Sequence, residues 1–335
     1  MRIRAYAVMK PGGPAESFEY DADLGPDDVL VRITHRSIAR GDVQAIDDDW
    51  GDTRYPLVPC HEMVGVVERA GAQVAHLRPG DRVGVGYQLR ACFACPHCLR
   101  GTEQFCARQV VVAVNGYGGL AEHVVVDGRF AFAIPPALDS AASTPLFSSG
   151  VTVYSGIAHA SLPERSRVAV LGVGGLGALA LRFLVAMGHT VSGLSHSPAK
   201  RAMVKALGAE FIDSADLSAM TERRATFDFI LSTLNVPFDL DACVRLLTPE
   251  GQLCVVASPL QPVSFSLGAL YDYGRRRIYG NYVGSRADSV RMLELAAAKH
   301  IQPPVEVMPL SRANEAIARV RNREVEGRVV LEGGA

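Results

Sequence analysis

The chain has 335 residues, enough for two domains with separate cores, and its 48% apolar and 21% charged content is that of a globular protein. A formal net charge of −1 excludes a general attraction to nucleic acid or an anionic membrane, and the short run Arg275-Arg276-Arg277 does not alter that balance. No apolar run reaches membrane length, and the N-terminal MRIRAYAVMK lacks the long apolar core of a signal peptide. A cytosolic protein with no nucleic-acid and no membrane partner is therefore expected. Seven cysteines in that compartment, with a tight cluster among them, point to metal rather than disulfides.

Residues 1 to about 150 read as β-rich. Arg2 to Val8 alternates, and Asp28 to His35 (DVLVRITH) alternates as a half-buried strand should. Val64–Arg69, Arg82–Val85 and Ala121–Val126 are further short strands, with a turn at Pro79-Gly80-Asp81. Residues 139 to 160 read as helical. From Arg167 onward strands alternate with helices: Val168–Leu171, Thr190–Leu194, Phe211–Ile212, Phe227–Leu231, Leu253–Ala257 and Arg277–Tyr282. That order predicts an α/β fold with a doubly wound parallel sheet. The tail holds an amphipathic helix near Ser289–Lys299, a short helix near Ala313–Arg321 and a last strand, Arg328–Leu331. The expected division is 150–284 for the dinucleotide-binding domain and 1–149 with 285–335 for the other.

In VAVLGVGGLGALALRFLVAMGHTV, Gly172, Gly174 and Gly177 form G-x-G-x-x-G, with Gly175 as an extra glycine. The motif follows a strand and leads into an alanine- and leucine-rich helix, Leu179 to Met187, then a second strand. Glycine there permits a tight turn and close approach of backbone to pyrophosphate, and the helix N-terminus supplies free N–H groups. The other reading is a glycine-rich core turn without a ligand. An NAD site places Asp or Glu about 20 residues after the first glycine. This chain has Leu194-Ser195-His196-Ser197, followed by Lys200 and Arg201. Hydroxyls and cations suit a ribose 2′-phosphate, so Ser195, Ser197 and Lys200 point to NADPH rather than to a merely solvated loop.

Cys92, Cys95, Cys98 and Cys106 are spaced C-x2-C-x2-C-x7-C in a loop containing Pro96 and Gly101. Four thiolates so placed close a tetrahedral zinc site with no open position, which makes the metal structural. An iron–sulfur cluster and free cysteines are the alternatives. His97, inside the cluster, reads as exposed and unneeded. Cys243 and Cys254 fall in helix and strand patterns of the core.

These segments, with YPLVPCHEMVGVVERAG, GVTVYSG, LSHSPAKR and the closing AIARVRNREVEGRVVLE, resemble the medium-chain, zinc-containing alcohol dehydrogenases over nearly the whole chain. The nearest resemblance is to the NADP-dependent cinnamyl alcohol dehydrogenase branch. It implies a Rossmann domain and a β-rich, GroES-like catalytic domain with a structural zinc lobe. It also implies a small-molecule substrate and a homodimer joined through the Arg277–Tyr282 strand. Arg40 matches the family's pyrophosphate contact and Thr152 its nicotinamide contact.

The resemblance breaks at the family's catalytic zinc, which is held by a Cys, a His followed by Glu, and a second Cys. Here the first cysteine is Ala39, the pair survives as His61-Glu62, and the second cysteine is Ser148. The relay hydroxyl is Gly41 and the histidine three residues on is Gln44. One imidazole beside a carboxylate is a poor zinc site. Cys60, in place of a glycine, reads as a packed thiol, a substitute ligand or a proton donor. His61 is a proton donor or substrate anchor, or a structural histidine donating to Glu62 or Asp42. Ser148 is a further candidate proton donor, and Trp50 and Tyr55 line the cleft or pack in the core.

The leading expectation is an NADPH-dependent reductase without catalytic zinc. Hydride would go to an activated C=C or to an iminium, substrates that ask less of a metal. One rival is an alcohol or aldehyde oxidoreductase with an atypical zinc at Cys60, His61 and Glu62. The other is a non-catalytic NADPH-binding protein.

Overall fold

The structure, a computed structural model, describes residues 1–257, 259–325 and 327–333. The chain forms two compact units, one of Met1–Ser148 with Ser285–Ala335 and one of Ser149–Gly284.

The Ser149–Gly284 unit is built on one all-parallel sheet. Its order is Glu210–Asp213, Thr190–Ser195, Arg167–Leu171, Phe227–Ser232, Leu247–Val255 and Arg277–Gly280. In chain order this is 3-2-1-4-5-6, the doubly wound arrangement expected. Val168, Ala169 and Val170 are fully buried, because helices cover both faces of such a sheet and leave no room for alternation. The helix after the glycines runs Gly175–Ala186, starting earlier than the apolar pattern announced. Gly175 and Gly177 lie in its first turn, and Leu179, Ala180, Leu181, Phe183 and Leu184 are its buried face. Cys243 and Cys254 are buried, as read.

The other unit is β-rich. Arg2–Val8 and Ala15–Asp21 form a hairpin. A seven-stranded sheet runs Val305–Pro309, Arg328–Glu332, Asp28–Ile38, Met63–Ala70, Arg82–Val85, Ala131–Ala133, with His123–Asp127 also paired to Asp28–Ile38. Two clusters of buried apolar side chains lie in this unit, one around Val8, Val43 and Leu57, the other around Val31, Met63 and Val83. Arg36 is fully buried, and its guanidinium donates to the carbonyls of Gly119, Ala121, Ile33 and Gly333, tying the chain end to the sheet. Burial without a carboxylate pushes its pKa down to about 10.

Two local features add to what the pattern predicts. The stretch 139–160 is two helices, Ser140–Ser143 and Ser149–His159, separated by a 3-10 turn at Thr144–Phe147. Pro145 lacks the N–H that an unbroken helix needs. The seven-residue helix Arg40–Ile46 was not anticipated. Asp42 starts it by accepting from the Ala39 N–H at 2.8 Å, and the Tyr55 hydroxyl donates to the carbonyls of Ala45 and Ile46 at its end.

Candidate active site

The helix Arg40–Ile46 turns Asp42 inward beneath the loop before the Met63–Ala70 strand. Asp42 is 2% exposed. One of its oxygens accepts from the backbone N–H groups of Cys60 (2.9 Å) and His61 (3.1 Å) and meets the His61 Nδ1 at 2.6 Å. A carboxylate facing Nδ1 fixes the tautomer: Nδ1 carries hydrogen, and Nε2 faces away. No hydrogen bond reaches Nε2 among the described residues. The His61 side chain is 15% exposed. A side chain at Gly41 would meet His61 Cε1 at 3.2 Å and Nε2 at 3.7 Å, and the tip of Trp50 at 3.8 Å. Glycine at this position therefore lets the imidazole approach the Arg40–Ile46 helix more closely than a side chain would allow. The antiparallel register pairs Met63 with Val85, and continuing it sets residue 87 opposite residue 61. The Tyr87 and His61 rings are indeed paired there, perpendicular to each other and 6.2 Å between centroids.

Burial alone would lower the His61 pKa. The charge and hydrogen bond of Asp42, helped by Glu62, outweigh it against the opposing Arg328, so the pKa is raised above 6.5.

The other candidates are placed less favourably. Cys60 is fully buried in the apolar cluster with Ile38, Leu57 and Leu120, and burial pushes its thiol pKa well up. This placement is that of a packed thiol. It sits at φ +75°, a conformation suited to the glycine it replaces and costing an ordinary residue roughly 1 kcal/mol. Glu62 is also fully buried, where it accepts from the Ser37 hydroxyl and lies 3.5 Å from Arg328. Its carboxylate thus faces Ser37 and Arg328. Ser148 is 9% exposed at the end of the 3-10 turn, which is seated by the Phe147 ring against Gly84. Tyr55 has its hydroxyl engaged by the helix carbonyls, and burial raises its pKa to about 12. Trp50 is 53% exposed beside Gly41.

This donor set does not fit a catalytic zinc. Ala39 offers no ligand atom, Cys60 is in the apolar core, and Glu62 is committed to Ser37 and Arg328. Among the described residues, one group alone brings three or more Cys, His, Asp or Glu ligand atoms together, and it is not here.

That group is Cys92, Cys95, Cys98 and Cys106, whose sulfurs lie within 4.8 Å of one another. Cys92 and Cys98 Sγ are 3.9 Å apart, near the roughly 3.8 Å edge of a tetrahedron with ~2.3 Å zinc–sulfur bonds. The Cys92 thiol is drawn down to about 5, first by the Ala94 N–H, with further help from Arg108 and the Cys95 N–H. The residues fit a four-thiolate zinc. His97 is half-buried rather than exposed, with its ring on Phe105 and Nδ1 facing Arg100.

In the Ser149–Gly284 unit, Gly172 has φ +90°, and a Cβ on Gly177 would lie 2.0 Å from the Gly172 carbonyl oxygen. Only glycine permits this turn. Gly174 caps the helix and has open space where a side chain would be. Ser195 ends the neighbouring strand, and its Oγ accepts from the Ser197 N–H at 3.2 Å. Lys200 follows in a short 3-10 turn, whereas Arg201 is stacked on Phe211 at 4.5 Å. Thr152 is half-buried in the helix Ser149–His159, its carbonyl held by Asn281. Arg40, in the other unit, donates to the Arg321 carbonyl through one nitrogen while its buried Nε has no partner. No helix among the described residues is long and apolar enough to cross a membrane.

Residues 25–136 match the alcohol dehydrogenase GroES-like domain, and residues 175–298 match the zinc-binding dehydrogenase family. The aldehyde reductase AdhA of Synechocystis is 37% identical over 331 residues, covering 98% of each chain. A cinnamyl alcohol dehydrogenase of Sorghum bicolor superposes with a TM-score of 0.95 at 33% identity, over 100% of this chain and 99% of that one. The cinnamyl alcohol dehydrogenase of Helicobacter pylori, complexed with NADP(H), gives 0.92 at 25% identity over 99% and 98%. The chain belongs to the medium-chain, zinc-type alcohol dehydrogenases, in the cinnamyl alcohol dehydrogenase-like branch of these oxidoreductases.

Proposed function

We propose that this protein is an NADPH-dependent reductase that converts a small aldehyde to its alcohol without a zinc ion at the reacting carbonyl. The observation that carries the metal-free half is the pair of residues at the positions where the resemblance sets the two zinc cysteines: Ala39 and Ser148 supply no thiolate. The carbonyl half is supported by the relatives, whose names are those of aldehyde reductases and alcohol dehydrogenases. A second reading is hydride transfer to an activated C=C or C=N. The same lost ligands favour it, because those substrates need no metal on a developing alkoxide. No relative reported above is named for it.

NADPH supplies the hydride. Gly172, Gly174, Gly175 and Gly177 would take its pyrophosphate at the helix N-terminus, with Thr152 on the nicotinamide side. Ser195, Ser197 and Lys200 would hold the 2′-phosphate; the absence of a carboxylate at the strand end supports this, and the complexed Helicobacter relative agrees with it. Cys92, Cys95, Cys98 and Cys106 would hold one zinc whose role is to fix the lobe. The exposed rings of Tyr271 and Tyr273 near the edge strand Arg277–Gly280 support a homodimer.

The test is NADPH oxidation with a panel of aldehydes, activated alkenes and iminium compounds, before and after a chelator that leaves the fold intact. The reading predicts aldehyde turnover that survives the chelator. Turnover abolished by chelation, with the fold unchanged, contradicts it.

A further inference from the structure

The His61–Asp42 pair is what remains where metal and relay are lost, and it is more than a remnant. Asp42 is held on four sides, by the Ala39, Cys60 and His61 N–H groups and by Nδ1, so the imidazole cannot swing. Nε2 has no hydrogen-bond partner among the described residues and lies on the side of the ring that faces the bare Cα of Gly41, near the tip of Trp50, with the Tyr87 ring perpendicular to the imidazole. We propose that His61 Nε2 replaces the catalytic metal as electrophile and proton donor to the substrate oxygen, with Asp42 as the residue that positions it. This rests on the reading of the protein as a reductase.

The step balances without another reactant. The carbonyl carbon receives the hydride from the reduced dinucleotide, and the C=O π pair moves onto oxygen. That oxygen takes the proton from Nε2 and becomes the alcohol. The imidazole is left neutral, keeps Nδ1–H on Asp42, and regains its Nε2 proton from water. In the oxidative direction neutral Nε2 accepts the hydroxyl proton. The groups facing the ring agree with this. Asp42 and Glu62 favour the imidazolium, Arg328 from the strand Arg328–Glu332 opposes them, and Tyr87, Trp50 and Gly41 bring no formal charge. Reduction then needs the protonated ring, so its kcat/KM is full below the raised His61 pKa and falls above it.

His61→Asn tests the role with little risk to the fold, since its amide nitrogen stands near Nδ1 and can still donate to Asp42 while nothing replaces Nε2. The expected result is a kcat lower by about 10²-fold or more, KM for NADPH unchanged, and loss of the basic limb of the pH profile. Asp42→Asn should move that limb to lower pH, and in cofactor-free protein the His61 ring nitrogens, followed by NMR, should titrate lower than in wild type. An active wild type whose His61→Asn variant keeps its kcat and pH profile overturns the proton-donor role alone. A wild type that turns over no aldehyde, alkene or iminium compound overturns the reductase reading, and this inference with it.

Discussion

The cysteine lobe and the His61 pocket lie in the same unit, and this family can hold zinc at both. In the lobe, four sulfurs converge within 4.8 Å, and the Ala94 N–H and Arg108 favour thiolate at Cys92. In the pocket, one imidazole remains, its neighbouring carboxylate Glu62 is buried against Ser37 and Arg328, and the neighbouring thiol Cys60 is packed in the core. The lobe keeps every donor because an incomplete thiolate set leaves a metal-dependent loop unfolded. The pocket can lose donors without losing the fold, since apolar packing and hydrogen bonds to Asp42 hold it. On the proposed reading, metal structure and metal chemistry are separable in one chain.

The sharpest way to break that contrast is to remove a lobe ligand. Cys98→Ser should take zinc from one per chain to none and lower Tm by roughly 10 °C, a few kcal/mol at about 2–4 °C each; elemental analysis and calorimetry check both. A variant that kept its Tm would make the lobe dispensable. The reverse experiment rebuilds the pocket. Ala39→Cys with Ser148→Cys should raise zinc to two per chain and make activity chelator-sensitive, read by metal counting and NADPH oxidation. A smaller effect is expected in the other unit. Ser195→Asp should shift preference from NADPH toward NADH by about tenfold in Kd, because a carboxylate repels the 2′-phosphate and accepts from a 2′-hydroxyl. The smallest concerns stability. The raised His61 pKa contributes stability that is present below about 6.5 and lost as pH rises through the folded value. The Tm gap between wild type and His61→Asn should therefore narrow from acidic to alkaline pH.

How much of this was legible in the sequence follows from which forces acted locally. The Arg167–Leu171 strand, the glycines and the cysteine spacing are contiguous patterns, and the structure keeps them within a few residues. Arg82–Val85 and Ala313–Arg321 fall where expected. The helix Arg40–Ile46 was hidden because Gly41 and Asp42 are weak helix formers, and what holds it is Asp42 at one end and the distant Tyr55 hydroxyl at the other. Asp42 could be named only as one of two acceptors for His61, since Glu62 was the nearer in sequence. Tyr87 carries no motif, and its place beside His61 comes from the Met63–Val85 register. That Ala39 and Ser148 bring no thiolate is plain from the residues themselves. A packed thiol was one of the readings of Cys60, whereas its positive φ was not announced by the sequence.

The most direct test of the account is the zinc content of protein purified without added metal, measured together with aldehyde reduction by the same sample. The account predicts one zinc per chain, held by Cys92, Cys95, Cys98 and Cys106, in an enzyme that is fully active. Two zinc ions per chain, with activity following the second, would contradict it.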